Sequence, residues 1–123
     1  MIRGDRQLAI SRLLWLCQAP YAWAEQVKHG KSAGLTSEDS ERITIGSQAP
    51  GWDEHERAII RAAEELHAHA MVTDKTWEVL SKRLNENQLL ELTVLTGHFT
   101  TIAYFQNALR LRLPVGSGGL RAR

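Results

Sequence analysis

Apolar positions along the chain recur at mixed three- and four-residue steps, the period of helices that bury one face. Leu8, Ile10, Leu13, Leu14, Leu16 and Cys17 predict a first helix over residues 6–17. Pro20 then resets the chain. It suits the start of a second helix from about Tyr21 to Lys31, because its ring pre-sets φ and its missing N–H is not needed there. Ala33-Gly34 ends that helix, with glycine supplying a left-handed residue. Thr36 or Ser37 caps a short third helix through Ile45, and Glu38 and Asp39 lie at its positive end. The irregular stretch from Gly46 to Trp52, containing SQAPG, reads as a surface loop.

Asp53 with Glu56 is a capping-box pattern, and Ala58, Ile59, Ala62, Ala63 and Leu66 mark the apolar face of a fourth helix reaching about His69. Thr73 or Asp74 caps a fifth, whose buried stripe is Trp77, Leu80 and Leu84. Asn85 with Gln88 opens the sixth and longest, from Glu86 to about Arg112. No strand pattern and no internal repeat interrupts the series. The expected fold is all-α, a single-domain bundle of about six helices over residues 1–113. The basic, glycine-rich segment 114–123 is expected to be mobile.

The sixth helix is apolar over most of its surface, through Leu89, Leu90, Leu92, Val94, Leu95, Phe99, Ile102, Ala103, Tyr104 and Phe105. Such a helix is either central to the core or shared with another subunit. A chain of 123 residues offers little protein to surround it, so self-association is the expectation.

Composition narrows the function classes. Hydrophobic residues make up 43% and charged residues 24%, as in an ordinary globular domain. With 15 basic and 14 acidic residues the net charge is +1, so no global field draws in nucleic acid or a membrane surface. There is no basic recognition helix, no stretch of the roughly 20 apolar residues a bilayer span needs, and no leader pattern. A cytoplasmic location is the default expectation. The one cysteine excludes a disulfide framework, a CxxC redox pair and a multi-cysteine zinc site. Charge is uneven, however. Residues 36–95 carry 12 acidic and 6 basic side chains, and residues 96–123 carry 4 arginines and no acid. That pattern reads as a solvated acidic middle and basic end, or as Arg110 and Arg112 pairing with acids of a neighbouring subunit.

The segments RQLAISRLLWLCQAPYAWAEQVKHGKSAGLTSEDSERI and HERAIIRAAEELHAHAMVTDKTWEVLSKRLNENQLLELTVLTGHFTTIAYFQNALRL resemble the carboxymuconolactone decarboxylase and alkylhydroperoxidase-D-like superfamily. The likeness covers about residues 6–112. It is to the subgroup with Tyr-x-Trp at the start of the second helix, here Tyr21-Ala22-Trp23. The resemblance implies a helical fold assembled into homotrimers or homohexamers, with small-molecule sites near subunit contacts. The family's thiol peroxidases use a glutamate, a CxxC pair and a histidine, and the matching positions here are Gln7, Ala19, Ala22 and Gln26. Alanines supply neither a nucleophilic nor a resolving thiol, so CxxC peroxidase activity is excluded. The decarboxylases use the same glutamate and histidine for proton transfer. Glutamines hydrogen-bond a lactone or carboxylate oxygen but do not titrate.

Other residues must then carry any chemistry. His98, next to Gly97 in the sixth helix, is the candidate general acid or base, with a packed histidine as the plainer reading. Tyr21 is the second catalytic candidate, and Trp23, Gln26 and Gln7 are expected to line the ligand pocket. Cys17 at a helix C-terminus gains no thiolate stabilisation and reads as structural. His67 and His69 diverge by about 200° and cannot chelate together, so no metal and no cofactor are expected. The expected function is binding of a small oxygenated organic molecule of lactone or aromatic-acid type, with lyase-like proton transfer by His98 or Tyr21. The rival is a catalytically silent oligomeric scaffold.

Overall fold

The computed structural model describes Met1 and residues 3–123. Six α-helices follow one another: α1 (Arg3–Leu16), α2 (Pro20–Ser32), α3 (Ser37–Ile45), α4 (Glu54–His69), α5 (Asp74–Ser81) and α6 (Glu86–Ala108). A short 3₁₀ turn at Gly119–Arg121 comes last. No strand occurs among the described residues, and none of their helices is long and apolar enough to cross a membrane.

Local chemistry sets the boundaries. Thr36, Asp53 and Asn85 each close a reciprocal capping box, and Thr73 caps α5 with its hydroxyl. At the end of α2, Gly34 takes φ +94°, and Leu35 N–H donates to Gly30 O at 2.8 Å. α6 stops at Ala108, short of Arg112, because Arg110 turns left-handed at φ +54°. There the amides of Arg110 and Leu111 close back onto Asn107 O and Gln106 O. This is the same C-terminal motif with arginine in the place that glycine usually takes, so the sequence carried no stop signal.

α1 is the central helix, packed against α4, α6, α2 and α3. Leu8, Ala9, Leu13 and Leu14 are buried, and the core continues through Trp23, Ile43, Ile59, Ile60, Leu80 and Leu92. α6 is therefore peripheral. It buries Leu89, Leu92, Thr96 and Ala103, and leaves Leu90, Val94, Tyr104 and Phe105 exposed, with Leu109 exposed just beyond its end. Trp77, expected in the buried stripe of α5, is largely exposed, whereas Leu80 and Leu84 are buried.

Two segments make packing contacts that their composition does not announce. In the 46–52 loop, Ser47, Ala49 and Trp52 are buried. Arg57 donates to the carbonyls of Ser47, Ala49 and Trp52, and Trp52 Nε1 donates to Gly46 O at 3.1 Å. Buried irregular backbone is stable only when its polar groups are met in this way. The segment 117–123 likewise docks on the body, with Leu120 and Ala122 packed against the main core. Its contacts are non-local side-chain bonds that composition does not reveal.

Asp39 gives the capping box of α3 a pH dependence. Partial burial pushes its carboxyl up, but bonds from the Thr36 amide, Arg42 and the Thr36 hydroxyl outweigh it, and the net shift is downward. A lowered folded value stabilises the native state above the ordinary carboxylate range, and that gain fades as pH falls through the lowered value. Asp39→Ala is thus expected to be less stable than the parent by about 0.3–1 kcal/mol near neutrality. The two denaturation midpoints should converge in acid. A gap that persists at low pH would assign the loss to packing instead.

Candidate functional site

The residues expected to form the site fall into three settings. Gln7 on α1 and Gln26 on α2 meet directly, with Gln26 Nε2 donating to Gln7 Oε1. Gln26 is buried and Gln7 half-buried. That bond joins one amide's donor to the other's acceptor, and neither titrates, so the pair links α1 to α2 without offering a proton. Trp23 is completely buried, and its indole N–H donates to Ala122 O at 3.0 Å. Its ring stands edge-on to Trp15, with centroids 5.1 Å apart. The donor expected to face a ligand is thus used within the fold. Tyr21, two residues earlier, is half-buried. His98 is exposed on α6 and stacks edge-to-face with Phe99 at 5.4 Å.

Cavities lie elsewhere. One of roughly 320 Å³ sits between α4 and α6, lined by Leu66, His67, Ala70, Thr93, Thr96, Gly97, Thr100 and Tyr104. Its threonine hydroxyls donate to helix carbonyls: Thr93 to Leu90 O, Thr96 to Leu92 O and Thr100 to Thr96 O, each at 2.8 Å. Their remaining capacity is as acceptors, while Tyr104 and His67 can also donate. Leu66 and Ala70 supply apolar wall. A few polar groups on an apolar surface is the usual composition of a small-molecule site.

Gly97 explains part of that opening. A Cβ built on it meets no atom within 4 Å, so glycine is not required by packing. Gly97→Ala is expected to stabilise the protein by about 0.5–1 kcal/mol through helix propensity alone. Urea unfolding measures this, and a loss of stability would show that the helix is strained there.

His67 also faces Cys17, whose sulfur lies 3.9 Å from Nδ1. Burial pushes the Cys17 thiol up, so the pair is not poised as a thiolate nucleophile. The acids flanking His67 are engaged. Glu64 binds Arg12 and Ser47, and Glu65 accepts from the Thr73 amide and from the hydroxyls of Thr73 and Thr76. No group of three His, Cys, Asp or Glu that could hold a metal occurs among the described residues.

A pair that sequence reasoning missed is Asp5 with His55. Both are buried, and His55 Nε2 lies 3.0 Å from Asp5 Oδ2, joining α1 to α4. His55 Nδ1 has no partner among the described residues. The pair borders a cavity of roughly 290 Å³ with Met1, Arg83, Leu84 and Gln88. The signal was present: Asp5 precedes Leu8 and Ala9, and His55 precedes Ala58 and Ile59, at three- and four-residue steps on apolar faces.

Compared with known proteins, the sequence matches no family model and no curated protein. A solved structure is similar over most of its length. It is a protein of unknown function from Agrobacterium tumefaciens, suggested to be the antioxidant defence protein AhpD. The TM-score is 0.85 at 19% identity, covering 94% of this chain and 80% of that one. The chain thus has an AhpD-like fold, and at this identity the likeness extends to the fold alone.

Proposed function

We propose that the protein is a self-associating, AhpD-like binding protein for a small oxygenated organic molecule, held in the α4–α6 cavity beside the subunit contact. The observation that carries this reading is the cavity itself, with its threonine oxygens, Tyr104 and His67, opening beside the exposed apolar face of α6. Hydroxyl-bearing ligands suit it, since the three threonines offer acceptors. His67, rather than His98, is the histidine that lines this cavity.

The quaternary part rests on Leu90, Val94 and Phe105, which lie toward one side of α6, and on Leu109 just past its end. Several large apolar side chains exposed along one helix favour a protein partner. The Gln7–Gln26 pair favours a second reading, an assembly protein without ligand or chemistry, since it fills the positions that the resemblance makes catalytic.

Native mass spectrometry of three proteins separates the readings. The parent is expected as a trimer or hexamer with a discrete small-molecule adduct. Gly97→Leu, which fills the cavity, should keep the assembly and lose the adduct. Val94→Glu should dissociate the assembly. A monomeric parent would sink the quaternary part, and an adduct that survives Gly97→Leu would sink this cavity. An assembly without adduct under any gentle condition leaves the scaffold reading.

A further inference from the structure

The docked segment 117–123 is held as a peptide ligand is held. Arg123 places its guanidinium carbon 5.3 Å from the ring centre of Trp15 and 6.0 Å from that of Trp23. Its Nε donates to Glu41 at 2.7 Å, and its Nη1 donates to the carbonyls of Leu120 and Ala122 at 2.8 Å. The body reads the backbone as well: Trp23 Nε1 donates to Ala122 O, and Ser37 Oγ donates to Arg123 O at 3.3 Å. Two aromatic rings, a carboxylate and two donors aimed at successive carbonyls make a cleft suited to an arginine residue in a chain. A planar guanidinium stacks on aromatic rings and bonds a carboxylate at once, which a lysine ammonium does less well.

The connection to α6 is of a different character. Residues 109–116 are exposed throughout, Val115 completely, and Gly116, Gly118 and Gly119 lie in and beyond them. A cavity of roughly 280 Å³ separates residues 114–118 from α2. An anchored segment on a poorly packed tether is the arrangement of a ligand bound intramolecularly, at an effective concentration on the order of millimolar.

We infer that Trp15, Trp23, Ser37 and Glu41 form a receptor cleft for an arginine-bearing segment, loaded here in cis by Arg123 and open to exchange with the same chemistry in trans. The probe is a labelled synthetic peptide of residues 117–123, SGGLRAR. The full chain carrying Leu120→Asp and Arg123→Ala, which loosens the resident segment, should bind it about ten-fold more tightly than the parent. A peptide with the last arginine changed to alanine should bind neither, and adding Glu41→Ala to the loosened variant should remove binding. Equal binding of the arginine and alanine peptides, or none to the loosened variant, would overturn the inference. Hydrogen exchange on the unaltered protein guards against a variant that fails to fold. The amides of 117–123 should exchange well before those of α1, and faster still with millimolar peptide. Exchange of that segment only on global unfolding would make it a permanent part of the core and reject the cleft.

Discussion

Glu64→Ala is expected to cost the fold about 3–5 kcal/mol, a large share of the stability of a domain this size. The Glu64 carboxylate receives Arg12 Nε and Nη2, each at 3.0 Å, as well as the amide and hydroxyl of Ser47 at 3.1 and 2.6 Å. Arg12 is buried, and its Nη1 donates to Ile43 O and Thr44 O. One ion pair therefore fastens α1, α3, the 46–52 loop and α4. Removing the acid leaves a buried guanidinium without a counter-charge, and that costs far more than the net worth of the pair. Gly46 belongs to the same arrangement. It sits at φ +103°, and a Cβ there would lie 2.5 Å from Arg12 and Glu64. Replacing both charges, Arg12→Met with Glu64→Leu, should recover much of the loss, because no orphan charge remains. Urea titrations of the three variants decide the matter. A single-variant loss below about 1 kcal/mol would mean that water reaches the pair and screens it.

Trp23→Ala is expected to destabilise by a similar amount, about 3–5 kcal/mol, and to release residues 117–123. Trp23 is completely buried, touches Trp15 and holds Ala122 O. The substitution removes core volume and an anchoring donor together. Tyr21→Ala, at a half-buried neighbour, should cost clearly less. A Trp23→Ala protein of near-parental stability that had lost only its adduct would support the pocket role that the sequence suggested.

The helices were legible because capping and periodicity act within one turn of the chain. Thr36, Asp53, Thr73 and Asn85 cap the helices whose starts they mark in the sequence. The candidate site was less legible. Gln7 and Gln26 do meet, a pairing that follows from the resemblance rather than from any local pattern. His98 turned outward because α6 packs through Leu89, Leu92, Thr96 and Ala103, a stripe that an almost uniformly apolar helix does not announce. The cavity beside His67 depends on how far α4 stands from α6, which no spacing within either helix encodes.

The same division runs through the whole molecule. The sequence by itself determined the all-helical class, the six elements and their order, and the absence of a thiol pair, since each depends on residue identity and short-range bonds. Only the tertiary structure decided which helix is central and where the buried charges pair. It also decided that Ser47, Ala49 and Trp52 of the 46–52 loop are buried and that residues 117–123 pack against the body. Those outcomes turn on which of several apolar faces meet, and on polar partners 17 to 99 residues apart in the chain.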